Sequence, residues 1–370
     1  MIRNNAVSKK PDYVFAILVF LLVFFGIVMI SSSSVASSFE KYGNNYAFVK
    51  SQIISLLIGL GALFLTYNID YRFWKKHSLW MIVITLGLLV LVFIPGIGKE
   101  INGAHRWIGF AGKMFQPSEI IKLAFIIYAA SWFDVRKETI GEFVGGFVPF
   151  SLMIAIIGVL IMNQPDLGTM SVIAGTAGVM FLVAGANLWH FSIGIGASIL
   201  LLGGLIAAAP YRMQRLMVFL DPSSDTQGAS YHINQALLAI GAGGLWGLGF
   251  GQSRQKYLYL PQTQTDSIFA IIAEELGFLR SSIVLCAFIF LGYRGFQIAK
   301  KAPDNFSRLL VVGITTWILI QAFINIGAML NILPLTGVPL PFISYGGTSL
   351  IVLLAAVGIV LNISKHAESK

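Results

Sequence analysis

Charge is scarce in this chain. Only 11% of its 370 residues are Asp, Glu, Lys or Arg, under half the share that a soluble globular domain carries. A hydrophobic content of 56% and a mean hydropathy of +0.81 exclude a soluble globule with a polar surface and point to an integral membrane protein. Cysteine is nearly absent too: Cys286 stands alone in an apolar run, which excludes a disulfide within the chain and makes a thiol nucleophile a poor candidate. The histidines, His77, His105, His190, His232 and His366, are scattered with no pair at i, i+4, so helical metal-ligand spacing is missing. Neither glycine-rich nucleotide motif occurs, although Gly241, Gly243, Gly244, Gly247, Gly249 and Gly251 crowd one stretch; flexible or closely packed backbone is the better reading there. The sequence shows no long-period repeat, low-complexity segment, nucleic-acid motif or second soluble domain, and nucleic acid is not an expected partner.

What is present is a series of long apolar runs. Those able to cross a bilayer, about 20 residues each, fall roughly at 13–32, 47–67, 78–96, 115–133, 147–163, 169–185, 189–209, 276–298, 309–330 and 343–363. They are continuous rather than alternating, so helices and not a barrel must satisfy the backbone in lipid. The expected fold is all-α, a polytopic membrane protein of about ten transmembrane helices forming one domain over 1–370. The first run, preceded by Arg3, Lys9 and Lys10 and followed by SSSSVASS, also suits a signal peptide. The distribution of basic residues places both termini in the cytoplasm, on the side of Arg72, Lys75, Arg136, Lys300, Lys301 and Lys370. The long segment between the seventh and eighth runs, about 210–266, is then extracytoplasmic. That face carries Lys99, Arg106 and Lys113 in one loop and Arg212, Arg215, Arg254 and Lys256 in another. Cations in excess on the outside suggest an anionic ligand, or loops that simply tolerate them.

The remaining polar residues gather where helices begin. The fourth run opens with QPSEIIK, in which Pro117 suits a first turn and Glu119 and Lys122 share a face. NQPDLGT opens the sixth, with Asp166 after Pro165. YLYLPQTQTDSIFAIIAEELG precedes the eighth, with Asp266 at the switch from polar loop to apolar helix. LPLTGVPLPFISYGGTSL opens the tenth, its prolines and Gly346-Gly347 breaking regular helix beside Ser344 and Tyr345. Parity puts all four openings on the outer face, with helix N-termini directed at whatever binds there. An acidic residue at such a start has an ordinary reading as a helix cap; ionisable residues near lipid are also costly and tend to be functional.

In order, NGAHRWI with QPSEIIKLA, then NQPDLGT, FLDPSSDTQGASYHINQALLAIGAGGLWGLGFGQSRQKYLYLP, QTDSIFAIIAEELGF and FINIGAMLNILPLTGVPLPFISYGGTSL resemble the SEDS family of bacterial cell-wall proteins over essentially the whole chain. The QSRQKYLYLP stretch is more similar to the division branch of that family than to the elongation branch, with the sporulation branch close behind. The resemblance implies a ten-span glycosyltransferase of the bacterial cytoplasmic membrane that polymerises lipid II, an undecaprenyl-diphosphate-linked disaccharide-pentapeptide, into peptidoglycan glycan strands at the outer face during cell division. It also implies a class B penicillin-binding protein transpeptidase and other division-complex membrane proteins as partners.

The essential aspartate of the family lies in P-E-x-H-T-D-F-I-F, which aligns with Pro261 to Phe269 and makes Asp266 the implied catalyst. Gln262, Gln264 and Ser267 replace the usual Glu, His and Phe, leaving Asp266 the only ionisable side chain of the motif. Joining sugars from a lipid-diphosphate donor needs a base for the acceptor hydroxyl and positive charge for the departing diphosphate. Asp266 supplies the first. Arg106, Lys113, Lys122, Arg212 and Arg215 are candidates for the second, with Arg106 and Lys122 on family motif positions. Glu119 and Asp166 read as partners that orient cations, and Gln264, Thr265 and Ser344 complete the expected substrate contacts. Glu274 and Glu275, from the family's A-E-E-L-G, equally suit a structural role. The one cofactor candidate is a divalent cation, Mg or Mn, accompanying the diphosphate. Two other classes compete. A flippase for the lipid-linked precursor would need a cytoplasmic site, and the short cytoplasmic loops show no comparable motif. A non-catalytic scaffold in the division complex is opposed by the retention of Asp266.

Overall fold

The computed structural model describes residues 10–101, 104–110, 113–207, 209–223 and 228–366; Arg3, Lys9 and Lys370 of the expected cytoplasmic set, and the side chain of Lys113, lie outside what is described. Each expected run holds a helix: α1 (Tyr13–Ser33), α3 (Ala47–Asn68), α4 (Tyr71–Leu91), α5 (Pro117–Val135), α6 (Val148–Asn163), α7 (Leu167–Val183), α8 (Leu188–Ala207), α11 (Ile268–Lys300), α12 (Asn305–Met329) and α13 (Gly347–Lys365). Short helices α2 (Val35–Tyr42), α9 (Pro210–Leu220) and α10 (Tyr231–Gly243) lie between them. Among the described residues, 8 helical stretches are long and apolar enough to cross a membrane; α7 is shorter, and α5 carries Glu119, Lys122 and Asp134. The chain is a multi-pass membrane protein.

Caps move several starts away from the apolar boundary. Asp70 Oδ1 accepts from Arg72 N at 2.8 Å, so α4 begins at Tyr71 rather than 78. Asp304 and Ser307 form a reciprocal capping box that starts α12 at Asn305 rather than 309. The all-α expectation omitted one element: between α4 and α5 the chain forms a three-stranded antiparallel sheet, β1 (Gly98–Ile101), β2 (Ala104–Phe110) and β3 (Lys113–Phe115), in that order. Gly98 pairs with Ile108, and Ile108 with Phe115. A connection this long has backbone groups to satisfy, and strand pairing satisfies them.

The core lies around α12 and α13. α3 runs along α13, α5 and α7 pack on α12, and α11 lies between α12 and α1. Close approach needs small residues: a Cβ at Gly358 of α13 would sit 2.1 Å from Thr66 Oγ1 of α3. α1 is built into this core, with Phe15, Val19, Met29 and Ile30 fully buried. α8, in contrast, has no buried residue and presents its apolar surface to lipid.

α11 is broken at Gly277 (φ 77°, ψ 177°). The freed carbonyls of Glu274 and Glu275 accept from Leu248 N and Gly249 N, each at 3.0 Å. Phe278 N and Leu279 N donate to the carbonyls of Gly244 and Leu245 at 2.8 and 3.2 Å. Two glycines let the strands of this crossing touch: a Cβ at Gly277 would lie 2.2 Å from Gly247 N, and one at Gly247 (φ +83°) 2.3 Å from Glu275 O. A broken helix survives among apolar spans only where its backbone groups find other partners, which this crossing provides. At these positions the glycine-rich stretch is closely packed.

Candidate active site

The openings of α5, α7 and α11 meet on the fourth, residues 330–348, the irregular segment between α12 and α13 with the first two residues of α13. At the opening of α5, Gln116 N donates to Thr348 Oγ1 at 3.3 Å. At the opening of α7, Gly168 lies against the segment so closely that a Cβ would be 2.4 Å from Val338 Cγ2 and 2.9 Å from Thr336 O. Before α11, Ser344 Oγ donates to Thr265 O at 2.5 Å and Tyr345 N to Gln264 O at 2.8 Å. α12 holds the segment from the other side. Its Gln321 Nε2 donates to Pro339 O at 2.9 Å, and one turn further Asn325 Nδ2 donates to both Val338 O and Asp266 O at 2.8 Å.

Asp266 therefore sits on a backbone pinned from two sides. Its carboxylate caps nothing: the N-cap of α11 is Ser267, whose side chain makes no cap hydrogen bond. Asp266 Oδ1 accepts from Thr265 Oγ1 at 3.1 Å, a proton for which Gln262 O at 3.2 Å and Gln262 Oε1 at 2.9 Å compete. Gly337 (φ +72°) faces the other oxygen, where a Cβ would lie 3.6 Å from Oδ2. Among the described residues no cation lies within ion-pair distance of it. Packing around the half-buried side chain raises its carboxyl above the ordinary carboxylate range by desolvation, against which the nearby His232 imidazole and, more weakly, the Arg215 guanidinium act.

The expected cations divide into engaged and accessible. Lys122 is 2% exposed; its Nζ donates to Glu119 Oε1 at 2.8 Å and Gln321 Oε1 at 3.0 Å and lies 5.2 Å from the Trp317 ring centre. Glu119 thus orients Lys122, as their spacing suggested, inside the protein. Arg106 Nε donates to Gln164 O at 2.8 Å and its Nη2 to Pro165 O, which ties β2 to the corner between α6 and α7. Asp166 is the N-cap of α7, accepting from Thr169 N at 3.0 Å and Thr169 Oγ1 at 2.9 Å. Gln264 and Ser344 are buried, and Ser344 spends its hydroxyl proton on Thr265 O. Arg212 and Arg215 are the accessible pair on α9: Arg215 Nη1 donates to Leu335 O at 3.2 Å, and Arg212 Nη1 to Leu205 O at 3.0 Å. Of the cations on the expected outer face, Lys256 is also spent, paired with Glu275 at 2.9 Å and bonded to Ser32 Oγ at 3.1 Å, while Glu274 receives Ser253 Oγ at 2.5 Å and Arg254 N at 2.9 Å. This is the structural reading of the two glutamates.

Sequence reasoning passed over Gln321, Asn325 and His232. The first two had a signal, since Trp317, Gln321 and Asn325 recur every four residues as the polar-capable stripe of an otherwise apolar helix. His232 had none in sequence, because α10 brings it to Ser267 from 35 residues away. Among the described residues no three His, Cys, Asp or Glu side chains gather as a metal site.

Comparison with known proteins places this arrangement. Stage V sporulation protein E of Bacillus subtilis is 43% identical over 98% of this chain and 99% of its own. A probable peptidoglycan glycosyltransferase FtsW of Geobacter metallireducens is 38% identical over 97% and 96%. Among solved structures, a chain from a study of the structural coordination of polymerization and crosslinking by a peptidoglycan synthase complex superposes with a TM-score of 0.80 at 28% identity, covering 97% of this chain and 99% of that one. The Thermus thermophilus rod shape determining protein RodA superposes with a TM-score of 0.71 at 27% identity, over 97% and 98%. Residues 12–369 match the cell cycle protein family of FtsW, RodA and SpoVE, and the chain belongs to that family.

Proposed function

We propose that this protein is a peptidoglycan glycosyltransferase that polymerises lipid II into glycan strands at the outer face of the bacterial cytoplasmic membrane, serving cell division, with Asp266 as general base. The names of its relatives support the activity, and one structural observation supports the residue. Among the described residues, Asp266 is a half-buried carboxylate that caps no helix and has no cation within ion-pair distance, where four helix openings converge. In the reaction the acceptor hydroxyl loses its proton to Asp266 as its oxygen bonds the donor's anomeric carbon. The bond from that carbon to the diphosphate breaks, and the diphosphate departs with the electron pair. A carboxylate raised by burial is the stronger base once ionised. Arg215 and Arg212, accessible on α9, meet the diphosphate's charge, while Arg106 holds the backbone between α6 and α7 and Lys122 braces Gln321. A Mg or Mn ion accompanying the diphosphate would take most of its ligands from the phosphates and would offset their charge. A class B penicillin-binding protein cross-linking the product is the partner that the synthase-complex relative suggests.

The test is a glycan ladder from lipid II, made by the purified chain co-expressed with its cognate transpeptidase. Wild type should produce it, and Asp266→Asn should not while staying folded in the membrane. An Asp266→Asn protein that builds glycan near the wild-type rate ends the assignment; lipid II crossing vesicle bilayers with no ladder transfers it to a flippase.

A further inference from the structure

We propose that His232 is a positioning residue for the reaction, an ionisable ring fixed through Ser267 to the loop that carries Asp266 in a motif that has lost its own histidine. The inference rests on the reading of Asp266 as base. The sequence replaces the motif's usual His by Gln264 and its usual Phe by Ser267. Gln264 turns away from the carboxylate: its Oε1 accepts from Ser37 Oγ at 3.3 Å and Thr263 Oγ1 at 3.1 Å. Ser267 has the opposite fate. Its Oγ lies 2.6 Å from His232 Nε2 and 2.9 Å from Pro261 O. A serine hydroxyl has one proton, and a carbonyl can only accept, so Ser267 donates to Pro261 O and accepts from His232. This assigns a proton to Nε2. The remaining Nδ1 has no hydrogen-bond partner among the described residues and is the atom that gains or loses charge.

The chain Pro261 O, Ser267 Oγ, His232 Nε2 spans the residues on both sides of Asp266, so the imidazole is fixed to the same loop as the carboxylate. A phenylalanine at 267 could not make this link. The charged groups acting on His232 are Asp266 from the loop before α11, which favours the imidazolium, and Arg215 from α9, which opposes it; burial opposes it more than either. The same burial opposes charge on Asp266. Each group is therefore the other's best reason to ionise, and the two titrate as a pair. The sign follows. Imidazolium favours carboxylate, so the base form of Asp266 persists to lower pH with His232 present than without it.

The experiment is the pH profile of lipid II polymerisation by the full chain with its transpeptidase, for wild type, His232→Gln, Ser267→Ala and Asp266→Asn. His232→Gln keeps a polar side chain that can still bond Ser267 but removes the charge. Its rate on the alkaline plateau should stay within a few-fold of wild type, whereas at the acid end it should fall about tenfold further than wild type does, as loss of a neighbouring opposite charge predicts. Ser267→Ala, which frees the ring without discharging it, should move the acid limb less. His232→Gln with an acid limb superimposable on wild type, or lowered equally at every pH, overturns the proposal and leaves His232 a packing residue. An active Asp266→Asn protein would instead overturn the assignment of the base, so the two failures are distinguishable.

Discussion

The pair Glu119 and Lys122 can be tested by removing each charge alone and then both together. At 2.8 Å, with side chains 2% and 5% exposed, their gross attraction is about 6 kcal/mol at an effective dielectric of about 20. Most of this is offset by desolvation of the two ions, so the pair as a whole adds little to stability. A single substitution is different. Lys122→Met strands a carboxylate whose Oε2 already lacks a protein partner, and Glu119→Leu strands an ammonium with Gln321 Oε1 and the Trp317 ring face but no counter-charge; each should cost about 3–5 kcal/mol. The double variant should return to within about 1 kcal/mol of wild type, because apolar side chains of similar size fill the site between α5 and α12. Thermal unfolding in detergent reads the three values, and the lipid II ladder reads function in parallel. Since Gln321 keeps Trp317 Nε1 at 2.8 Å and Pro339 O, the double variant should also build more glycan than either single variant. If Lys122→Met melts with the wild type, or the double variant loses the sum of the singles, the two charges are not coupled and the account of α5 against α12 fails.

Asn325→Leu removes the one amide that serves both Val338 O and Asp266 O. Two buried acceptors lose their donor at about 1–3 kcal/mol each, and a base displaced by about 1 Å should cost about 100-fold in polymerisation rate, measurable as turnover of protein that remains folded. Gly277→Ala meets both a positive φ and a Cβ position 2.2 Å from Gly247 N; it should melt well below wild type, and a wild-type melting temperature would refute the described crossing. Asp166→Ala should lower stability by about 1 kcal/mol through loss of the cap on α7, with Asp166→Asn nearly neutral; a large loss of activity in the stable Asn variant would instead put that carboxylate in contact with substrate.

Long apolar runs announced the spans because a bilayer demands continuity, and the helices fell where those runs do. The exceptions have physical causes. β1 to β3 escaped notice because seven residues of β2 mix His105, Arg106 and Trp107 with glycine and show no clean alternation. The break in α11 escaped because a single Gly277 in an apolar helical pattern looks like any other membrane glycine. For the candidate site, proline and acidic residues near helix starts drew attention to four junctions that the fold brings together, since those residue types are expensive elsewhere in lipid. What the sequence could not say is which polar atoms are already spent. Lys122, Lys256, Arg106 and Asp166 read as ligand contacts only as long as their internal partners, all distant in sequence except Glu119, Thr169 and Gly251, are out of sight.

The crossing at Gly277 fixes more than a kink. Four backbone hydrogen bonds join α11 to residues 244–249, and sliding α11 along its axis by one residue would break all of them together. The helix that follows Asp266 is thereby locked in height, like a bolt through a hasp, and cannot serve as a piston. Any rearrangement that admits the proposed lipid-linked substrate must then fall to elements with little to lose. Among the described helices, α8, with no buried residue, and α9, with Val218 alone, have little packing to lose, and α9 carries Arg212 and Arg215 with it.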